Sequence, residues 1–175
     1  MNKFLLSLAL IFSGTPALAT GTFEEHNRLW NVLQMNGVKT IINHRDCNND
    51  VDGWYDWSRR ELVVCQDNGR PNGPEVAWTA NDLDTLRHEA HHVVQDCLLG
   101  SPFDRYSTLL FDGKQEFSDF VQNRLSEGQI KFIITSYSKD GASQKVILQE
   151  LEAFATAAHV SPTVIANSVN NLCNN

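Results

Sequence analysis

The alternation of apolar and polar residues along the chain predicts more helix than strand. Apolar positions recur at helical spacing in five segments, and start and stop signals bound them. The strongest of these segments, the central helix, begins at Thr79, with Asp82 three residues later where the pair can cap it. The predicted helices cover residues 22–37, 79–100, 114–127, 143–159 and 162–172.

Short β-branched and aromatic runs predict three strands before the central helix. Residues 38–42 form one strand, and residues 54–57 and 61–65 form two strands joined by a tight turn. Residues 128–140 fit either a strand or a continued helix. Because strands and helices do not alternate, the predicted class is α+β, with a small antiparallel sheet packed on the central helix and further helices C-terminal to it.

The N-terminal segment 1–19 has the pattern of a secretory signal peptide. Lys3 precedes a short apolar run, and Ala17 and Ala19 form an A-x-A cleavage pattern. Later stretches are not apolar for the roughly 18 residues that a membrane span needs. We therefore expect a secreted or periplasmic protein with no membrane contact after cleavage, and a single domain over 20–175.

Composition limits the classes of function that are open to the chain. Its 175 residues are 42% hydrophobic, and 21 acidic residues face 14 basic ones, which gives a net charge of -7. The apolar fraction is too high for a disordered chain, and the excess of acid weighs against binding to nucleic-acid phosphates. We expect one globular domain with no nucleic-acid partner.

The four cysteines of an exported chain predict disulfide bonds, for which three pairings are possible. We favour Cys47–Cys65, because this bond closes the base of the predicted hairpin. The remaining pair, Cys97–Cys173, then ties the end of the central helix to the last predicted helix.

Residues 88–92, His-Glu-Ala-His-His, match the motif H-E-x-x-H. On a helix, His88 and His92 are four residues apart on one face, so both imidazoles can bind one metal ion. Glu89 lies beside them, where a carboxylate can take a proton from water and pass it to a leaving amine. The apolar residues of the helix cluster on the opposite side, so the two histidines are not expected in the core. We take His91 as a neighbour on the helix surface.

A catalytic zinc site normally has three protein ligands, of which the motif supplies two. The helix predicted at 143–159 offers two carboxylates, Glu150 and Glu152. They point about 200° apart on a helix, so both cannot serve, and their spacing does not choose between them.

The H-E-x-x-H motif and the downstream string E-x-E-A-x-x-x-A together resemble the gluzincin-type zinc metallopeptidases, especially their small single-domain members. The resemblance implies a zincin-like fold, a Zn2+ cofactor and hydrolysis of peptide bonds. It also implies that Glu152, directly before Ala153, is the third metal ligand beside His88 and His92. The strand ending in ELVVC is similar to the strand along the cleft edge in this family.

Several polar side chains are candidates for supporting roles. Asp96 follows His92 by one turn and can accept a hydrogen bond from its imidazole. Four side chains can stabilise a developing oxyanion, and the sequence does not select among them: Tyr55, Tyr106, Tyr137 and His159.

The expected function is that of an exported zinc peptidase with Glu89 as general base. Its substrate is a peptide or protein, which can pair with the edge of the strand at 61–65. Two alternatives stay open. One is a zinc amidase that acts on cell-wall peptide, because the motif indicates a metal ion and an activated water but does not identify the substrate. The other is a non-catalytic binding protein stabilised by disulfides.

Overall fold

Helices make up most of the described part of the chain, as the sequence predicts. The structure is a computed structural model, and it describes residues 21–48, 51–98, 108–111 and 113–173. The predicted signal peptide and Tyr106 lie outside these residues. The helices of the described part are α1 Phe23–Met35, α2 Ala80–Cys97, α3 Lys114–Gln122, α4 Glu127–Lys139, α5 Gln144–His159 and α6 Pro162–Leu172.

Polar caps decide where these helices begin. The side chains of Thr22 and Thr79 accept backbone hydrogen bonds at the starts of α1 and α2, and each start has a capping box, as predicted for Thr79 with Asp82. Ser126 and Gln129 form a further capping box that starts α4. The helix predicted at 114–127 therefore ends earlier, at Gln122, and the ambiguous segment at 128–140 is helical through Lys139 rather than a strand.

Three short strands form one mixed sheet: β1 Lys39–Ile42, β2 Gly53–Asp56 and β3 Glu61–Val64. Their order in the sheet is β1-β3-β2. The predicted hairpin is confirmed, because β2 and β3 pair antiparallel. The expectation of a purely antiparallel sheet was wrong, because β1 pairs parallel with β3. The chain reverses through β2 before it returns beside β1, so that Lys39 and Glu61 become neighbours and form an ion pair of 2.8 Å.

The middle strand of the sheet is β3, and Leu62, Val63 and Val64 on it are fully buried. Because strands flank β3 on both sides, the expectation that residues 61–65 offer a free edge to a peptide was wrong. The hairpin leaves β2 at the edge instead.

Buried apolar side chains form two large cores and a smaller cluster around Cys47 and Cys65. The sheet core packs α1, α2 and α6 against β3, and Val38, just before β1, belongs to it as well. The C-terminal core joins α3, α4 and α5, and its buried members are Val121, Leu125, Ile133, Tyr137, Leu151 and Ala155. Contacts between α2 and α5 bring the two cores together.

Both predicted disulfides are present. Cys47 bonds to Cys65 beside the hairpin, and Cys97 at the end of α2 bonds to Cys173 after α6. Disulfides are typical of proteins that fold in an oxidising compartment. Among the helices that the structure describes, none combines the length and the apolar character needed to cross a membrane.

Candidate metal centre

The H-E-x-x-H segment lies on α2, which is covered on nearly all sides. His88 is 9% exposed and Glu89 is 7% exposed. These side chains line a cavity between α2, α4, α5 and β2 rather than a solvated helix face. The opposite side of α2 holds Ala90, Val93 and Val94 in the sheet core, as the apolar pattern predicts.

Three possible metal ligands converge in this cavity: His88, His92 and Glu150. The Nε2 atoms of His88 and His92 are 3.1 Å apart. Glu150 places one carboxylate oxygen 3.2 Å from Nε2 of His88 and the other 3.5 Å from Nε2 of His92. Ligand atoms around a tetrahedral zinc ion, each at about 2.1 Å from it, lie about 3.4 Å apart. The three side chains therefore fit a divalent metal ion in both donor type and spacing.

Glu152 is not a member of this group, so the expectation that it is the third ligand is corrected in favour of Glu150. Its carboxylate is fully buried on the other side of α5 and accepts hydrogen bonds from His91 Nε2 at 3.0 Å and the Leu110 amide at 2.9 Å. The two glutamates diverge as their spacing requires, and the packing of α5 turns Glu150 toward the motif.

His91 is also corrected, because it does not lie on the helix surface. It is 3% exposed and donates its Nε2 hydrogen to Glu152. Burial lowers the pKa of His91, although Glu152 opposes this shift. His91 thus belongs to the contact between α2 and α5 rather than to the cavity.

Charges within the group are complementary. Burial by itself would raise the pKa of Glu150, but the charge of His92 and the hydrogen bonds from His88 and His92 hold it well below its usual range. Burial by itself would lower the pKa of His92, but the Glu150 and Glu89 carboxylates raise it to about 9. Below about pH 9 His92 therefore carries a proton that a metal ion would have to displace, because an imidazole binds a cation only in its neutral form.

Neighbouring side chains orient the group. Tyr137 on α4 donates its hydroxyl hydrogen to Glu150 at 2.8 Å. Gln95 Oε1 lies 2.8 Å from His92 Nδ1. Nδ1 of His88 is buried and has no hydrogen-bond partner among the described residues, and its ring packs on Phe154 at 4.4 Å between centroids.

The expectation that Asp96 orients His92 was wrong. Asp96 accepts a hydrogen bond of 2.7 Å from the Tyr55 hydroxyl, so it ties α2 to β2. Gln95 contacts His92 in its place. A residue three positions after a histidine shares its helix face, and this spacing is the signal that could have pointed to Gln95.

Glu89 lines the same cavity as the three candidate ligands. Burial raises its pKa, while the charges of His88 and His92 and a hydrogen bond from the Tyr55 backbone lower it in part. A carboxylate with a raised pKa accepts a proton near neutral pH more readily than an exposed one. Glu89 is therefore a buried proton acceptor beside the three candidate ligands.

Of the other side chains predicted to stabilise an oxyanion, two lie in the cavity and one lies outside it. Tyr55 and Tyr137 line the cavity, although their hydroxyl groups are engaged by Asp96 and Glu150. His159 is exposed at the end of α5 and its Nε2 contacts the Arg124 carbonyl, so it is not part of the cavity.

Comparison with known proteins gives no relative for this chain. No protein-family model, no curated protein and no solved structure matches it. The case for a function therefore depends on the geometry of the cavity.

Proposed function

We propose that this chain is a zinc-dependent peptidase. The observation that carries the proposal is the convergence of His88, His92 and Glu150 in a cavity that also holds Glu89. Two neutral imidazoles and one carboxylate are a ligand set typical of catalytic zinc, which keeps a fourth position open for substrate or water. Zinc bound there would polarise the scissile carbonyl and make an attacking water more acidic.

The side chains of the cavity have different roles in the proposed reaction. His88, His92 and Glu150 would hold the ion, and the Tyr137 hydroxyl restrains the Glu150 carboxylate. Glu89 takes a proton from the attacking water and later delivers it to the nitrogen of the departing amine. Burial raises the pKa of Glu89, so its protonated form, the one that donates to the amine, is easier to reach than that of an exposed carboxylate.

The shape of the cavity suits an extended peptide. The edge strand β2 runs along one side and contributes Gly53, Trp54 and Tyr55 to the lining. Backbone groups on a sheet edge can pair with an extended segment. Apolar side chains of the C-terminal core, among them Ile133 and Val146, line the opposite side and can receive an apolar substrate side chain.

Action outside the cytoplasm is part of the proposal. The signal-peptide pattern at 1–19 and the disulfides Cys47–Cys65 and Cys97–Cys173 both support it. A zincin-like fold is also part of the proposal, and the H-E-x-x-H helix α2 with the downstream glutamate helix α5 supports it.

The first test separates the roles of Glu89 and His88. The purified, oxidised protein should contain about one zinc per chain and should cleave a mixed peptide library in a chelator-sensitive way. Glu89→Gln should retain the ion while turnover falls by about 100-fold or more, because only the proton acceptor is lost. His88→Ala should lose both, and Glu24→Gln, on the exposed face of α1, should change neither. Zinc content is read by elemental analysis and cleavage by mass spectrometry.

Two results would contradict the peptidase proposal. A zinc-loaded protein that cleaves no peptide but degrades cell-wall material in a gel would be an amidase instead. A protein that takes up no zinc would leave the binding-protein alternative and remove the peptidase.

A further inference from the structure

A second buried network lies directly behind the candidate metal centre. Gln95 and Glu152 are both fully buried, one on α2 and one on α5. Gln95 Nε2 donates to Glu152 Oε2 at 2.7 Å and contacts the Gln149 carbonyl at 3.2 Å. The amide nitrogen of Gln95 is therefore held between two acceptors.

This arrangement fixes which end of the Gln95 side chain faces His92. An amide nitrogen only donates, and its two hydrogens are taken by Glu152 and Gln149. The oxygen is left to face His92 Nδ1, 2.8 Å away. An oxygen acceptor requires a hydrogen on Nδ1, so Nε2 of the neutral ring is the nitrogen with the free lone pair.

That lone pair is the one directed into the cavity, since His92 Nε2 lies 3.1 Å from His88 Nε2. We propose that Glu152 and Gln95 are positioning residues, which hold His92 in the one tautomer and ring orientation that can bind the metal ion. The proposal rests on the metal centre proposed above. It assigns to Glu152 an action on the ion through two hydrogen bonds instead of direct contact.

Glu152 is suited to this role because its carboxylate is itself held on several sides. Oε2 accepts from His91 and Gln95, and Oε1 accepts from the Leu110 amide. The carboxylate cannot turn without breaking these bonds, and Gln95 cannot flip without placing its oxygen against a carboxylate. Partners of this kind behind a metal ligand commonly change metal affinity by about 10- to 100-fold when they are removed.

The wild-type protein supplies the first test. In the zinc-free protein, long-range proton–nitrogen NMR spectra recorded above the pKa of His92 should show the hydrogen on Nδ1. A hydrogen found mainly on Nε2 would overturn the proposal. This reading needs neither zinc nor activity, so it decides the positioning role even if the protein proves not to bind zinc.

Variants supply the second test, with zinc affinity measured by competition against a coloured chelator. Gln95→Met keeps the side-chain size but removes the acceptor, so zinc should bind about 10- to 100-fold more weakly and His92 should show a mixture of tautomers. Glu152→Leu frees the Gln95 amide and should have a similar effect. Glu152→Gln can keep an oxygen in the Oε2 position and loses only the acceptor for the Leu110 amide, which does not contact Gln95, so its affinity should stay within about threefold of wild type.

A stability control separates positioning from general damage. Val169→Ala removes packing in the sheet core, where Val169 is fully buried, without touching this network. It should lower the Tm and leave zinc affinity unchanged. If Gln95→Met lowers the Tm but behaves like Val169→Ala in affinity and tautomer, Gln95 has only a structural role and the proposal is wrong.

Discussion

At the scale of single residues, Gly53 sets how closely β2 approaches the motif helix. A Cβ atom at this position would lie 2.6 Å from Thr85 Cγ2 and 2.6 Å from the Val63 carbonyl, and 3.5 Å from Glu89 Cγ. Only a residue without a side chain allows this spacing, and the strand edge therefore comes within reach of the proposed general base.

Replacing Gly53 should destabilise the folded protein. Gly53→Ala should lower the free energy of unfolding by about 1–3 kcal/mol, because the methyl group collides with a backbone carbonyl that cannot move aside. Gly128→Ala is the control, since a Cβ atom on Gly128 in α4 meets nothing within 4 Å and should stabilise by up to about 1 kcal/mol. Urea denaturation measures both, and equal effects at the two positions would contradict the packing argument.

Residue spacing also shows how far the sequence alone could predict the site. The motif placed His88, His92 and Glu89 correctly around one cavity, because their relation is internal to one helix. The choice between Glu150 and Glu152 depends on the rotation of α5 about its own axis. Packing against α2 and α4 sets that rotation, and no local pattern encodes it.

At the scale of elements, local signals predicted the helices better than they predicted the sheet. Thr22, Thr79 and Ser161 mark true helix starts because a cap acts on its own backbone. The β1-β3-β2 order could not be predicted in this way, because the pairing of Lys39 with Glu61 joins residues that are distant in sequence. The segment at 128–140 was ambiguous because IKFII suits either structure, and the cap at Ser126 decides it.

The contact between α1 and α2 includes a buried histidine. His26 is 2% exposed, donates from Nδ1 to the Thr22 carbonyl, and accepts from Arg87 through Nε2. Arg87 also forms an ion pair with Asp84 and donates to the Ala157 carbonyl. The contact thus connects α1, α2 and α5 through one guanidinium group.

This contact should make stability depend on pH. Burial is the main cause that lowers the pKa of His26; the hydrogen bond to the Thr22 carbonyl opposes it, the Arg87 charge lowers the pKa further, and Glu25 raises it slightly. In the unfolded chain an imidazole takes up a proton near pH 6.5, so the unfolded state gains protons first and stability is lost as the pH falls through that value. His26→Gln keeps an acceptor for Arg87 without this proton, so its stability should fall less steeply than that of wild type between about pH 7 and pH 5.

Urea unfolding at several pH values measures the slope for both proteins. Parallel profiles for wild type and His26→Gln would show that His26 does not contribute to the acid sensitivity.

At the scale of the whole molecule, the two disulfides constrain very different lengths of chain. Cys47–Cys65 spans 18 positions, whereas Cys97–Cys173 spans 76 and encloses the helices α3, α4, α5 and α6. A longer closed loop removes more entropy from the unfolded chain. The larger loop is also the part of the chain that supplies Glu150.

Removing the disulfide that closes the longer loop should lower the free energy of unfolding more than removing the other. Cys97→Ala with Cys173→Ala should cost about 4.5 kcal/mol, and Cys47→Ala with Cys65→Ala about 3 kcal/mol, on the chain-entropy estimate. The measurement is urea unfolding of both double variants under non-reducing conditions. A larger loss for the shorter loop would mean that local packing around Cys47, rather than chain entropy, dominates.

The cavity lies where the sheet core and the C-terminal core meet. Its candidate ligands come from both sides, since α2 supplies His88 and His92 and α5 supplies Glu150. An ion held by all three would link the two halves, and its stabilising effect would grow with the logarithm of the ratio of free ion to its Kd. The cavity could then not widen between α2 and α5 without stretching metal–ligand bonds. A bulky substrate would have to be accommodated by the flanks, β2 and α4, which carry none of the three ligands.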